Sequence, residues 1–129
     1  MTDPIFLTVG EVIGLHQNQI DEFGGIHGIR DEGLLESAVM TPQASFGGEY
    51  LHSDLFEMAA AYAFHIAENQ PFLDGNKRAA LASALVFLKI NGYKMLDPDG
   101  RLYDMLIDIA NRTSDKSDLA ELLKSLPKA

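Results

Sequence analysis

The chain has 129 residues and no cysteine, so disulfides and thiolate metal sites are excluded, and the length suits one domain spanning 1–129 with a core of its own. Hydrophobic residues make up 47% and charged residues 22%, as in an ordinary globular protein. A net charge of −9 with only ten Lys and Arg argues against direct nucleic-acid binding, which asks for a basic face.

The opening Met1-Thr2-Asp3-Pro4 is acidic and broken by proline, so it does not read as a signal peptide. Thr8-Val9-Gly10-Glu11 has the form of a capping box. Behind it Val12, Ile13, Leu15, Ile20 and Phe23 predict a helix over roughly 8–23, stopped by Gly24-Gly25. After a turn-rich stretch from Ile26 to Arg30, Asp31 is placed to cap a short helix carrying Leu34, Leu35, Ala38 and Val39. Thr41 to His52, with Pro42, Gly47 and Gly48, reads as an exposed loop. Ser53 or Asp54 opens a third helix with Leu55, Met58, Ala59, Tyr62, Ala63 and Ile66 at helical spacing.

A short connection, Asn69 to Gly75, leads to a fourth helix from Asn76 to about Asn91, closed by Gly92. Its apolar residues cover nearly every face, which predicts a central, buried helix over roughly 76–91. The apolar run Ala79 to Leu88 is too short to span a bilayer, so no membrane is expected and a cytoplasmic location follows by default. Asp97-Pro98-Asp99-Gly100 is a turn, and two further helices are expected near 101–111 and 117–126. Only Tyr93 to Leu96 has room for a short extended piece. The expected class is all-α: a compact single-domain bundle of about six helices.

Chemistry concentrates in Gln70-Pro71-Phe72-Leu73-Asp74-Gly75-Asn76-Lys77-Arg78. A loop that delivers Gly-Asn into a helix start presents unpaired N–H groups and the positive end of the helix dipole. Gly75 has no Cβ to keep a phosphate away, and Lys77 and Arg78 add two positive charges, the second with a planar fork suited to phosphate oxygens. Asp74 can hold Mg²⁺ or orient an attacking hydroxyl. Taken alone, such a turn is more often a plain helix start. Cations in a first turn oppose the dipole, however, so local stability does not explain them and an anion does.

This segment resembles the signature of the Fic/Doc superfamily, His-Pro-Phe-x-Asp/Glu-Gly-Asn-x-Arg, with eight of its nine positions compatible. Asn76-Lys77-Arg78-Ala79-Ala80-Leu81 resembles the Doc branch, whereas Fic adenylyltransferases usually carry a second arginine where Leu81 stands. The likeness extends to Phe23-Gly24-Gly25, to Gly28-Ile29-Arg30-Asp31 through Ala38, to Asp54-Leu55-Phe56-Glu57, and to Ser83 through Gly92. The resemblance implies a compact helical Fic/Doc fold and a nucleotide-dependent transferase acting on a protein hydroxyl. In Fic enzymes the group moved is usually AMP. In Doc toxins it is the terminal phosphate of ATP, placed on a threonine of elongation factor Tu, which inhibits translation. It also implies a toxin–antitoxin pair in which a Phd-type antitoxin holds the toxin inactive. By position, Asp74 would handle Mg²⁺ or the substrate hydroxyl, Gly75, Asn76, Lys77 and Arg78 would bind phosphates, and Phe72 would anchor the loop.

Gln70 stands where the family has its catalytic histidine. An amide does not ionise near neutral pH and cannot serve as a general base, a loss that typically slows proton transfer by about 10²–10⁴-fold. Phosphoryl transfer bears this better than acyl transfer, because positioning and charge neutralisation supply most of its catalysis. A divergent transferase, a catalytically silent nucleotide- or antitoxin-binding module and a disarmed variant are all compatible with Gln70, as is a helical interaction protein whose loop binds nothing. His65 precedes Gln70 by five residues, about one and a half turns, and need not face the loop. His16, His27 and His52 share no ligand spacing, and His27 lies where Fic proteins often place a target-binding flap.

Overall fold

The computed structural model describes residues 3–129; Met1 and Thr2, the start of the stretch read above as no signal peptide, lie outside the described residues. Among the described residues six α-helices follow one another: α1 (Val9–Phe23), α2 (Glu32–Met40), α3 (Leu55–Asn69), α4 (Asn76–Ile90), α5 (Arg101–Ala110) and α6 (Lys116–Ser125). None of the described helices is long and apolar enough to cross a membrane.

The helix starts obey their local chemistry. Thr8 accepts from Glu11 N–H at 3.1 Å while Glu11 accepts from Thr8 N–H at 2.9 Å, so the capping box closes in both directions. Asp31 and Asp54 cap α2 and α3 through one bond each, accepting from Leu34 N–H and Glu57 N–H, and Asp115 with Asp118 forms a second box on α6. Replacing Thr8 with alanine leaves Glu11 N–H without its acceptor. The expected cost is about 1 kcal/mol of stability, read as a lower midpoint in chemical denaturation with an unchanged slope.

α3 and α4 pack along each other at the centre. α4 is buried along Ala79, Ala80, Ser83, Ala84, Phe87 and Leu88, and α1 and α5 also rest on it. α3 shares the middle of the bundle, touching α2, α5 and α6 as well as α4. The run Ala59-Ala60-Ala61 on α3 lets these neighbours approach closely, and Tyr62 and Ile66 fill the remaining space. Buried Tyr62 is not wasted as a polar group: its hydroxyl accepts from Leu7 N–H at 2.9 Å and ties the leading segment to the core.

Between α2 and α3 the expected loop has internal order. Thr41–Gln43 forms a 3₁₀ turn that buries Pro42, and a minimal antiparallel hairpin pairs β1 (Ser45–Phe46) with β2 (Glu49–Tyr50) across Gly47-Gly48. Strands of two residues carry no alternation that a sequence could display. The extended piece foreseen at Tyr93 to Leu96 is a single antiparallel bridge, Met95 with Lys128, supported by Leu96 N–H to the Pro127 carbonyl at 2.8 Å.

Candidate phosphate-binding site

The segment from Gln70 to Arg78 joins the C-terminus of α3 to the N-terminus of α4, and most of it is held by its own side chains. Asn76 reaches back to the Phe72 peptide, accepting from its N–H at 2.9 Å and donating to its carbonyl at 3.0 Å. This closed pair fixes the loop's curvature and consumes the Asn76 amide. Phe72 is 1% exposed and stacks on the His16 ring, with centroids 3.8 Å apart and planes within 3°. His16, on α1, donates from Nε2 to the Asp74 carbonyl at 2.7 Å. The bond to a carbonyl fixes the proton on Nε2. Burial, before any neighbouring charge, holds the His16 pKa below its ordinary value, so this is a neutral structural ring aimed at the loop's backbone.

A second segment braces the loop from outside. Residues 26–30 run antiparallel to it, with an Ile29–Phe72 bridge, Arg30 N–H to the Pro71 carbonyl at 2.6 Å and Leu73 N–H to the Gly28 carbonyl at 3.0 Å. Arg30 places Nε on the Gln70 carbonyl at 2.7 Å and a terminal nitrogen on the Asn69 carbonyl at 2.8 Å. Those are last-turn carbonyls of α3, which have no partner inside the helix. Gln70 itself lies in the left-handed region, φ 46° and ψ 56°, and lines the cavity described below. His27, in the same bracing segment, is exposed and pairs with Asp21 at 2.9 Å.

Asp74 directs its carboxylate along the loop: Oδ1 accepts from Gly75 N–H at 2.9 Å and Oδ2 from Ile26 N–H at 3.1 Å. Each oxygen keeps a further lone pair. The approach at Ile26 is possible because Gly25 has no side chain, since a Cβ there would lie 2.7 Å from Asp74 Oδ2. Gly75 caps α4 at φ 72°, where a Cβ would lie 2.9 Å from Ile20 Cδ1. No side chain caps α4, whose first backbone bond is Ala79 N–H to the Gly75 carbonyl. The N–H groups of the first turn are thus left for a ligand.

Above this turn lies an open cavity of about 330 Å³, lined by Gln70, Asp74, Gly75, Asn76, Lys77 and Arg78 together with Ala67, Leu73 and Tyr103. Among the described residues neither Lys77 nor Arg78 has a carboxylate within ion-pairing distance; Arg78 instead holds its guanidinium 5.9 Å from the Phe23 ring centroid. The polar residues of the 70–78 segment therefore share one cavity, Phe72 of the same segment is buried, and none of the four histidines lines the cavity. His65 faces elsewhere, toward α6.

A family model described as Fic/DOC family matches residues 6–88, which include the whole of this loop and its bracing segment. The chain belongs to the Fic/DOC family. It is 37% identical over 116 residues to the protein kinase doc of Escherichia phage P1, covering 90% of each chain. It is also 41% identical over 101 residues to the toxin Doc of Mycolicibacterium smegmatis (strain ATCC 700084 / mc(2)155), covering 76% of this chain and 77% of that one. These relatives place it in the Doc branch of the family. Two residues that build the loop, His16 and Arg30, lie outside its contiguous sequence. They reach it across 58 and 40 positions, so no local pattern announces them.

Proposed function

We propose that this chain is a Doc-type toxin of a toxin–antitoxin pair, a transferase that moves the terminal phosphate of ATP to a protein hydroxyl and thereby inhibits translation in the cytoplasm. One observation carries the reading: an open cavity at a helix start with no side-chain cap, walled by two cations that pair with no carboxylate among the described residues. An anion with several oxygens satisfies all of these groups together, and a plain helix start needs none of them.

On this reading the N–H groups of the α4 first turn, Lys77 and Arg78 bind the phosphates. Among the described residues no cluster of three metal-ligating side chains exists, so Mg²⁺ would be held by Asp74 and the nucleotide's own oxygens, which suits its preference for one or two carboxylates. Bound there, Mg²⁺ would neutralise phosphate charge. The target hydroxyl oxygen bonds to the γ-phosphorus as the bond to the β–γ bridging oxygen breaks. ADP leaves, and the hydroxyl proton passes to solvent, because the Gln70 amide can orient the hydroxyl but not take its proton. A threonine of elongation factor Tu is the proposed target, and a Phd-type antitoxin the proposed partner.

Gln70 favours a second reading, a silent nucleotide- or antitoxin-binding module that keeps the cavity without turnover. Calorimetric titration with ATP and Mg²⁺ tests the shared premise. Arg78→Ala is expected to weaken binding by roughly 10–100-fold, the worth of a charge-assisted hydrogen-bonding group. Equal heats from the two proteins would mean that the cavity is not the site. Transfer of label from γ-labelled ATP to elongation factor Tu separates the transferase from the silent module.

A further inference from the structure

Away from the phosphate cavity, three basic side chains meet. Lys116 Nζ, on the first residue of α6, lies 3.0 Å from His52 Nε2 and 3.1 Å from His65 Nε2, and 5.8 Å from the centre of the Phe64 ring. His52 follows β2 at the base of the hairpin, and His65 lies on α3. An ammonium has donors only, so each imidazole must accept through a bare Nε2 and carry its proton on Nδ1. Both rings are therefore neutral, and His52 Nδ1, buried, has no partner among the described residues.

We propose that this cluster is a pH-operated latch: the two neutral rings grip Lys116 and fasten the hairpin base and the start of α6 to α3, and protonating the rings lets them go. A protonated imidazole turns its acceptor into a donor that faces the ammonium, so each protonation replaces an attraction with a repulsion. The groups facing the cluster are His52 from the hairpin base, Glu57 and His65 from α3, and Lys116 from α6. Glu57 is the one carboxylate among them, and it is occupied by the N–H and hydroxyl of Ser53, both at 2.6 Å. A cavity of about 300 Å³ lined by Leu51, His52, Glu57, Lys116, Ser117 and Ala120 gives protons access.

Burial first, and the Lys116 charge second, lower both histidine pKa values, His65 to about 4. The unfolded rings protonate near the ordinary 6.5. Between these values the released state takes up protons that the latched state refuses, so the latch is intact above about pH 6.5 and weakens as pH falls toward 4. The segment it holds carries Phe46, 82% exposed, and Leu51, also exposed.

The test is nitrogen-15 NMR of the histidine side chains in the full chain from pH 7.5 to 4, with amide exchange measured over residues 44–53. Expected at neutral pH are two neutral rings with bare Nε2 atoms, both titrating below the ordinary 6.5 and His65 near 4. Over the same acid interval, exchange in 44–53, corrected for its intrinsic pH dependence, should quicken by about tenfold or more. Lys116→Met keeps the apolar stem without the ammonium. It should move the His65 titration upward and leave the segment exchanging fast at every pH. Rings that titrate near 6.5 in the unaltered chain, or that titrate low with no step in exchange, overturn the latch. If Lys116→Met fails to fold, those two measurements on the unaltered chain decide alone.

Discussion

Gln70→His is expected to raise the rate of phosphate transfer by about 10²–10⁴-fold, the usual worth of a positioned general base. The backbone is ready for the change. Residue 70 already lies in the left-handed region, at φ 46°, and histidine enters that region more readily than most side chains. Its N–H bonds to the Ile66 carbonyl at 3.1 Å and its own carbonyl to Arg30, and neither bond involves the side chain. The new imidazole is therefore expected in the cavity that residue 70 lines with Asp74 and Lys77, with both backbone bonds kept. A base must be neutral to accept a proton, so the variant's rate should fall as pH drops through the pKa of the new ring, a limb absent from the Gln70 protein. Equal rates for both proteins in a labelled-ATP assay, with nucleotide binding intact, would assign the cavity to binding alone.

Phe72→Ala should cost about 3–5 kcal/mol of stability, the range for deleting a fully buried aromatic ring. Phe72 is 1% exposed, and losing it also strips the stacking partner from His16, whose other role is to hold the Asp74 carbonyl. Against a total stability of typically 5–15 kcal/mol, that is a large share of what holds the fold. Asn76 still grips the peptide at position 72, so the loop is loosened and not erased. Nucleotide affinity should fall together with the denaturation midpoint. A change below about 1 kcal/mol would mean that the loop is held by the peptide clasp alone.

What the sequence disclosed follows from how local each cause is. The α1 capping box, the Asp31 cap and the apolar spacing of α3 are written within a few residues, and the structure repeats them. The cavity wall was legible for the same reason, since Asp74 to Arg78 are contiguous. The braces were not. Arg30 and His16 act through backbone carbonyls far along the chain, and a carbonyl leaves no trace in residue identity. Nor did the spacing of His52, His65 and Lys116 suggest a meeting. Packing of α6 on α3 brings them together, and helix packing is read from structure and not from intervals.

The dependence of the loop on its remote braces has a consequence for how the cavity comes into being. α1 supplies His16 and the following turn supplies the Ile26, Gly28 and Arg30 contacts, so a truncation that begins after Arg30 would retain α2 through α6 yet lack every one of these supports. Such a shortened polypeptide would also lose the buried side chains of Leu7, Val12 and Ile20 and leave one face of α4 bare. The same thirty residues thus complete the core and shape the cavity, and the two are expected to be lost together.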